Sequence, residues 1–126
     1  MTVLVVVGIF SSCARPDGPS EFLRRETAEL QRRTIPPASE VIVRSNPVQK
    51  GWSKTAQWGF ETNWDWAHYE QWVTSQLQRD FGISHVDASR VVFVRSLPGD
   101  TEELGIEAES DGNKLRVTTR FVVYPD

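Results

Sequence analysis

Cysteine is all but missing from this chain: Cys13 is the one thiol in 126 residues. A lone cysteine closes no internal disulfide and cannot by itself build a structural zinc site. Long apolar runs are missing as well. The longest, Val3 to Phe10, is broken only by Gly8. As a helix it would reach about 12 Å, well short of the roughly 20 residues that cross a bilayer core. Positive charge is in deficit, with 14 Lys and Arg against 17 Asp and Glu for a net charge of −3. The deficit is unevenly placed. Residues 14–39 carry five Arg against four acids, and residues 40–126 carry nine Lys or Arg against thirteen acids. An acidic folded part lacks the basic field that nucleic-acid binders use, so no nucleic acid is expected as a partner.

Reaction motifs are missing too. There is no Gly-rich phosphate loop, no Gly-x-Ser-x-Gly elbow, no His-Glu-x-x-His helix and no CxxC pair. The two histidines, His68 and His85, do not compensate. His68 falls opposite the apolar stripe of a helix and is read as solvated. His85 and Asp87 share a loop, and one His with one Asp is a poor metal site. No cofactor, no metal and no catalytic residue is therefore expected.

What is present begins with the opening stretch, "MTVLVVVGIFSSCARPDGPS". Its apolar block has the length of a secretory signal's h-region. Phe10-Ser11-Ser12 then places an apolar residue and two small ones directly before Cys13. These 13 residues resemble the lipobox of a bacterial lipoprotein precursor. The resemblance implies a signal peptide over residues 1–12, acylation of Cys13 (palmitate included), and a domain held extracytoplasmically at the cell envelope by a lipid anchor. The β-branched "TVLVVV" would also suit a buried strand. Its place at the N-terminus, ahead of a stretch rich in turn-formers, favours the address.

Residues 13–39 read as a lipid-anchored tether. "SEFLRRETAELQRR" contains good helix formers with Glu21–Arg25 and Glu29–Arg33 at i,i+4. Only Phe22, Leu23, Ala28 and Leu30 are apolar, which predicts a marginal helix without a committed core face. Pro36 and Pro37 end it.

Residues 40–126 carry the patterns of a small α+β domain. Val41–Val43 is a short strand. In "KTAQWGFET", Ala56, Trp58 and Phe60 alternate with Gln57, Gly59 and Glu61, which predicts a half-buried strand. A helix follows, capped by Thr62 or Asn63, with Trp66, Tyr69, Val73, Leu77 and Phe81 on one stripe and Gly82 closing it. His85-Val86-Asp87 then reads as a loop. "RVVFVRS", "EELGIEAE" and "KLRVTTRFVVY" are three more strands, joined by a type II turn at Pro98-Gly99 and a hairpin at Asp111-Gly112. The expected fold is an antiparallel sheet of about five strands, order ββαβββ, with one amphipathic helix on one face.

Centring the second hairpin on Asp111-Gly112 sets Glu109 against Lys114, Glu107 against Arg116 and Glu103 against Arg120. That makes a salt ladder on a wet face, not a set of paired catalytic carboxylates. Across Pro98-Gly99, Phe93 faces Leu104 and Val91 faces Ile106 on the core side.

Five tryptophans, at positions 52, 58, 64, 66 and 72, crowd into 21 residues. Matching helix rise to strand rise puts Trp72 over Trp58, Leu77 over Ala56 and Trp66 over Phe60, so these three tryptophans are expected in the core. Trp64 is left at the strand-to-helix corner beside Asn63 and the free N–H groups of the helix start. An aromatic plate next to hydrogen-bond donors makes Trp64 and Asn63 the candidate contact for a protein or glycan partner. A staple against the first helical turn is the structural alternative. The expected function is thus a lipid-anchored, non-enzymatic binding or interaction module of the cell envelope. A small envelope hydrolase without a recognisable motif, or a structural subunit of an envelope complex, are the alternatives. A sheet pocket with a shifted carboxyl would favour the enzyme, and an apolar patch at a sheet edge the subunit.

Overall fold

A computed structural model describes residues 21–44, 48–50 and 53–125. The predicted signal peptide, Cys13 and Trp52 lie outside the described residues. The elements run α1 (Glu21–Thr34), β1 (Glu40–Arg44), β2 (Val48–Lys50), β3 (Ser53–Thr62), α2 (Trp66–Leu77), β4 (Gly82–Val86), β5 (Arg90–Leu97), β6 (Asp100–Asp111) and β7 (Lys114–Pro125). All strand pairs are antiparallel, in the order β1-β3-β7-β6-β5-β4, with β2 beside β3. The α+β class is as expected. Two strands beyond the expected five, β2 and β4, complete the sheet.

Alternation in the strands sets the core. Ala56, Trp58 and Phe60 from β3, Val91 and Phe93 from β5, Leu104 and Ile106 from β6, and Val117 and Phe121 from β7 are all buried on one face. Both helices lie on that face. From α2 come Tyr69, Val73 and Leu77, with Phe81 just beyond its end. The expected facing pairs Phe93–Leu104 and Val91–Ile106 are present. Gly99, at φ 84° after Pro98, occupies the position that a type II turn reserves for a left-handed residue.

Three expectations change. The first is the tether. Residues 21–34 form a helix whose Leu23, Thr27, Leu30 and Thr34 are buried in the domain's core. The stripe was hidden because threonines supply half of it. A threonine methyl packs as an apolar group once its hydroxyl is satisfied, and Thr34 Oγ1 donates to the Leu30 carbonyl at 2.8 Å. The need for a second helix is geometric. Six strands about 4.8 Å apart make a face wider than the roughly 10 Å that one helix covers.

The second is the β6–β7 register. Asp111 pairs with Lys114, so the turn is Gly112-Asn113, and Gly112 takes φ 68°. A glycine alone in the left-handed region at the first turn position is the type II′ arrangement. A turn centred one residue earlier would force Asp111 into that region. Every cross-strand pair therefore moves by two: Glu109 faces Arg116, Glu107 faces Thr118, and Glu103 faces Val122. A shift of two keeps each side chain on its expected face. The wet face is as expected, but its partners are not.

The third is β4. Gly82 does not close α2, which ends at Leu77 with Gln78 as its C-cap. Gly82 opens a strand that pairs with β5 through a bulge between Ile83 and His85. Its five residues are all exposed and show no burial alternation. The backbone ladder, not a side-chain pattern, holds it in place.

Candidate functional site

Three places hold chemistry. The first is the aromatic corner. Asp65 is the N-cap of α2, accepting from the His68 backbone N–H at 2.8 Å; neither Thr62 nor Asn63 takes that part. Thr62 instead accepts from the Trp64 N–H at 3.2 Å and fixes the corner. Trp64 thereby folds back along the helix, with its ring stacked on His68 at 4.0 Å and edge-on to Trp72 at 5.7 Å. One plate of the indole is taken by His68. Asn63 is exposed beside it.

The core tryptophans divide. Trp58 is completely buried, whereas Trp66 and Trp72 are half-buried and pack against the core from its margin. Phe60 is met by Tyr69 at 5.4 Å. Trp58 donates from Nε1 to Thr34 of α1 at 2.9 Å, and the Tyr69 hydroxyl donates to the Thr34 carbonyl at 2.7 Å. Burial pushes the Tyr69 phenol well above its ordinary value. Trp72 makes ring contacts with Trp64 and Tyr69, at 5.7 Å and 6.0 Å.

The second place is a buried ionic cluster. Arg95 on β5 and Glu102 on β6 face each other on the core side. Glu102 is completely enclosed; its Oε1 accepts from Arg95 Nε at 3.0 Å, and its Oε2 has no partner. Glu26 of α1 also grips Arg95, and Asp80 accepts from it at 3.3 Å. Arg33 ties Asp80 back to α1 at 2.8 Å, and the Arg95 guanidinium lies over the Phe81 ring at 4.4 Å. Burial pushes the Glu102 carboxyl up, against the pull of Arg95, with the neighbouring Glu26 adding to the rise. Asp80 is held below its usual range, first by its hydrogen bond from Arg33. Of this cluster the sequence carries a signal for one pair: Arg95 and Glu102 are the charged residues on otherwise apolar faces, beside Val91 and Phe93 and beside Leu104 and Ile106.

The third place is the opposite face of the sheet, which no described element covers. A trough of about 450 Å³ runs along it, lined by Gln57, Gly105, Glu107, Thr118, Arg120 and Tyr124 among others. Val122 lines it as well, and Val92, level with Gly105, is buried. Arg116 is tied within the chain to Glu61 at 3.2 Å and Asp111 at 2.9 Å. Arg90 stands 3.9 Å from Glu107. His85, on β4, is bonded to Asp87 at 2.9 Å. The sequence pointed to the wet character of this face but not to the trough, where Gly105 leaves a gap between long side chains.

Comparison with protein-family models, with curated proteins and with solved structures found no match.

Proposed function

We propose that this chain is a lipid-anchored interaction module of the cell envelope, non-enzymatic, which meets a protein partner through the uncovered face of its sheet. The observation that carries the reading is the asymmetry of the sheet: one face holds both helices and the core, and no described element covers the other. Anchoring at Cys13 is supported by the Phe10-Ser11-Ser12-Cys13 sequence. Only residues 14–20 separate that cysteine from α1, a reach of at most roughly 25 Å. The domain would then work within a few nanometres of the bilayer. Against the hydrolase alternative, the shifted carboxyl of Glu102 sits under α1 and outside the trough. The subunit alternative draws support from Ile83 and Val86, which are 48% and 50% exposed on the free edge at β4. A second contact, to protein or glycan, is assigned to the corner of Trp64 and Asn63 because the half-buried ring stands beside an exposed amide.

A photocrosslinking residue placed at Thr118, at Asn63 or at Gln71 in living cells tests these surfaces. Products are expected at Thr118 and, for the corner, at Asn63, with none at Gln71 on the outer side of α2. No product at Thr118 would end the reading of the bare face. Cys13→Ser is expected to release the protein from the membrane fraction. Recovery of the wild-type chain as soluble protein still starting at Met1 would overturn the anchor.

A further inference from the structure

The bare face sorts its charges by strand. Glu103, Glu107 and Glu109 form an acidic row on β6, and Arg116 and Arg120 form a basic row beside it on β7. The register sets Gly105 level with Arg120, Glu107 level with Thr118, and Glu109 level with Arg116. Among the described residues Arg120 makes no ion pair, although it is exposed.

We infer that this face is the interface of a homodimer, in which a two-fold axis along the β6–β7 seam lays the acidic row of each copy over the basic row of the other. Rotation about an axis parallel to the strands keeps every residue at its own level and exchanges β6 with β7. The partner's Gly105 then falls over Arg120, with the partner's Glu103 and the partner's Glu107 to either side. The same operation brings the partner's Glu109 over Arg116. It also carries the partner's Arg90 over Gly59, next to Glu61, because Gly59, Thr118, Glu107 and Arg90 share one level across four strands. Two glycines thus leave room where two guanidinium groups arrive. Each contact is made twice, as two-fold symmetry requires.

The size fits. β6 and β7 have 12 residues each, β3 has 10 and β5 has 8, so at about 3.4 Å per residue and 4.8 Å per strand about 700 Å² per copy is available. The total of about 1,400 Å² lies within the usual range for a specific interface. A partner of one charge sign would be attracted by one row and repelled by the next. A second copy matches both. The inference rests on the bare face being a contact surface, and is independent of the lipid anchor.

Sedimentation of the full chain across the micromolar range tests it, with near-UV circular dichroism to confirm folding. The wild type is expected to dimerise, and added salt to weaken the dimer. Arg120→Glu alone, and Glu103→Arg with Glu107→Arg in a second protein, should each weaken self-association by about tenfold or more. Mixed together, the two variants should form a heterodimer, because both symmetric contacts then join opposite charges. A mixture that stays monomeric overturns the arrangement, as does an Arg120→Glu protein that dimerises like the wild type. A wild-type monomer whose Thr118 crosslinks only to a different protein overturns the dimer but leaves the contact surface standing. A monomer with no crosslink there ends both.

Discussion

Glu102 is the residue at which charge and burial conflict most sharply. It is fully enclosed, shares Arg95 with Glu26, and leaves one carboxyl oxygen without a partner. Burial, and then the charge of Glu26, favour its protonated form. Its folded value therefore lies above that of the unfolded chain. The stability it contributes is complete below the ordinary carboxylate value and is lost as pH rises through the raised one. Asp80 works in the opposite sense: its lowered value contributes stability above the ordinary range, lost as pH falls through it. Urea midpoints measured from about pH 2 to 8 should decline on the alkaline side for the wild type. Glu102→Gln should remove that decline and keep the loss on the acid side. A wild-type profile with no alkaline decline would mean that the Glu102 carboxyl is not raised in the folded protein. The pairing of Arg95 with Glu102 was readable from alternation. The third and fourth members, Glu26 and Asp80, come from a helix and a loop that no local pattern ties to these strands.

At the scale of elements, α1 carries the main difference between pattern and structure. Leu30 is enclosed among sheet and helix side chains, whereas Phe22 is 49% exposed on the same helix. Leu30→Ala should cost about 2–5 kcal/mol and Phe22→Ala less than about 0.5 kcal/mol, as read from urea unfolding. Similar small costs for both would return α1 to the status of a tether. By apolar count Phe22 and Leu23 rank alike. The spacing Leu23, Thr27, Leu30, Thr34 selects Leu23 only when threonine is allowed on a core face. The turns were more legible, because glycine and proline act through their own φ angles and need no distant partner. Even there, the choice between Asp111-Gly112 and Gly112-Asn113 depended on which residue could bear a positive φ.

For the whole molecule, the burial of α1 predicts that residues 40–126 do not stand as a self-sufficient domain. Trp58 and Tyr69 bond to Thr34, and Arg95 bonds to Glu26, so removing α1 uncovers apolar rings and leaves buried polar groups unpaired. Such groups cost about 1–3 kcal/mol each when unsatisfied. A fragment of residues 40–126 should lose cooperative thermal unfolding and its near-UV dichroism, while residues 21–126 retain both. A cooperative melt from the shorter fragment would show that the sheet and α2 suffice.

The sequence by itself determined the faces of the strands, the glycine turns and the α+β class, because each follows from a period of two or 3.6 or from the φ range of one residue. The first 13 residues, whose pattern resembles a lipobox, lie outside the described residues. The tertiary structure alone decided that β7 lies between β3 and β6, and that α1 shares the core with α2. It alone gathered Glu26, Asp80, Arg95 and Glu102 around one guanidinium and brought an acidic row beside a basic one on a bare face. Those outcomes join residues tens of positions apart, and they are settled by which surfaces must be covered together, a balance that no single segment contains.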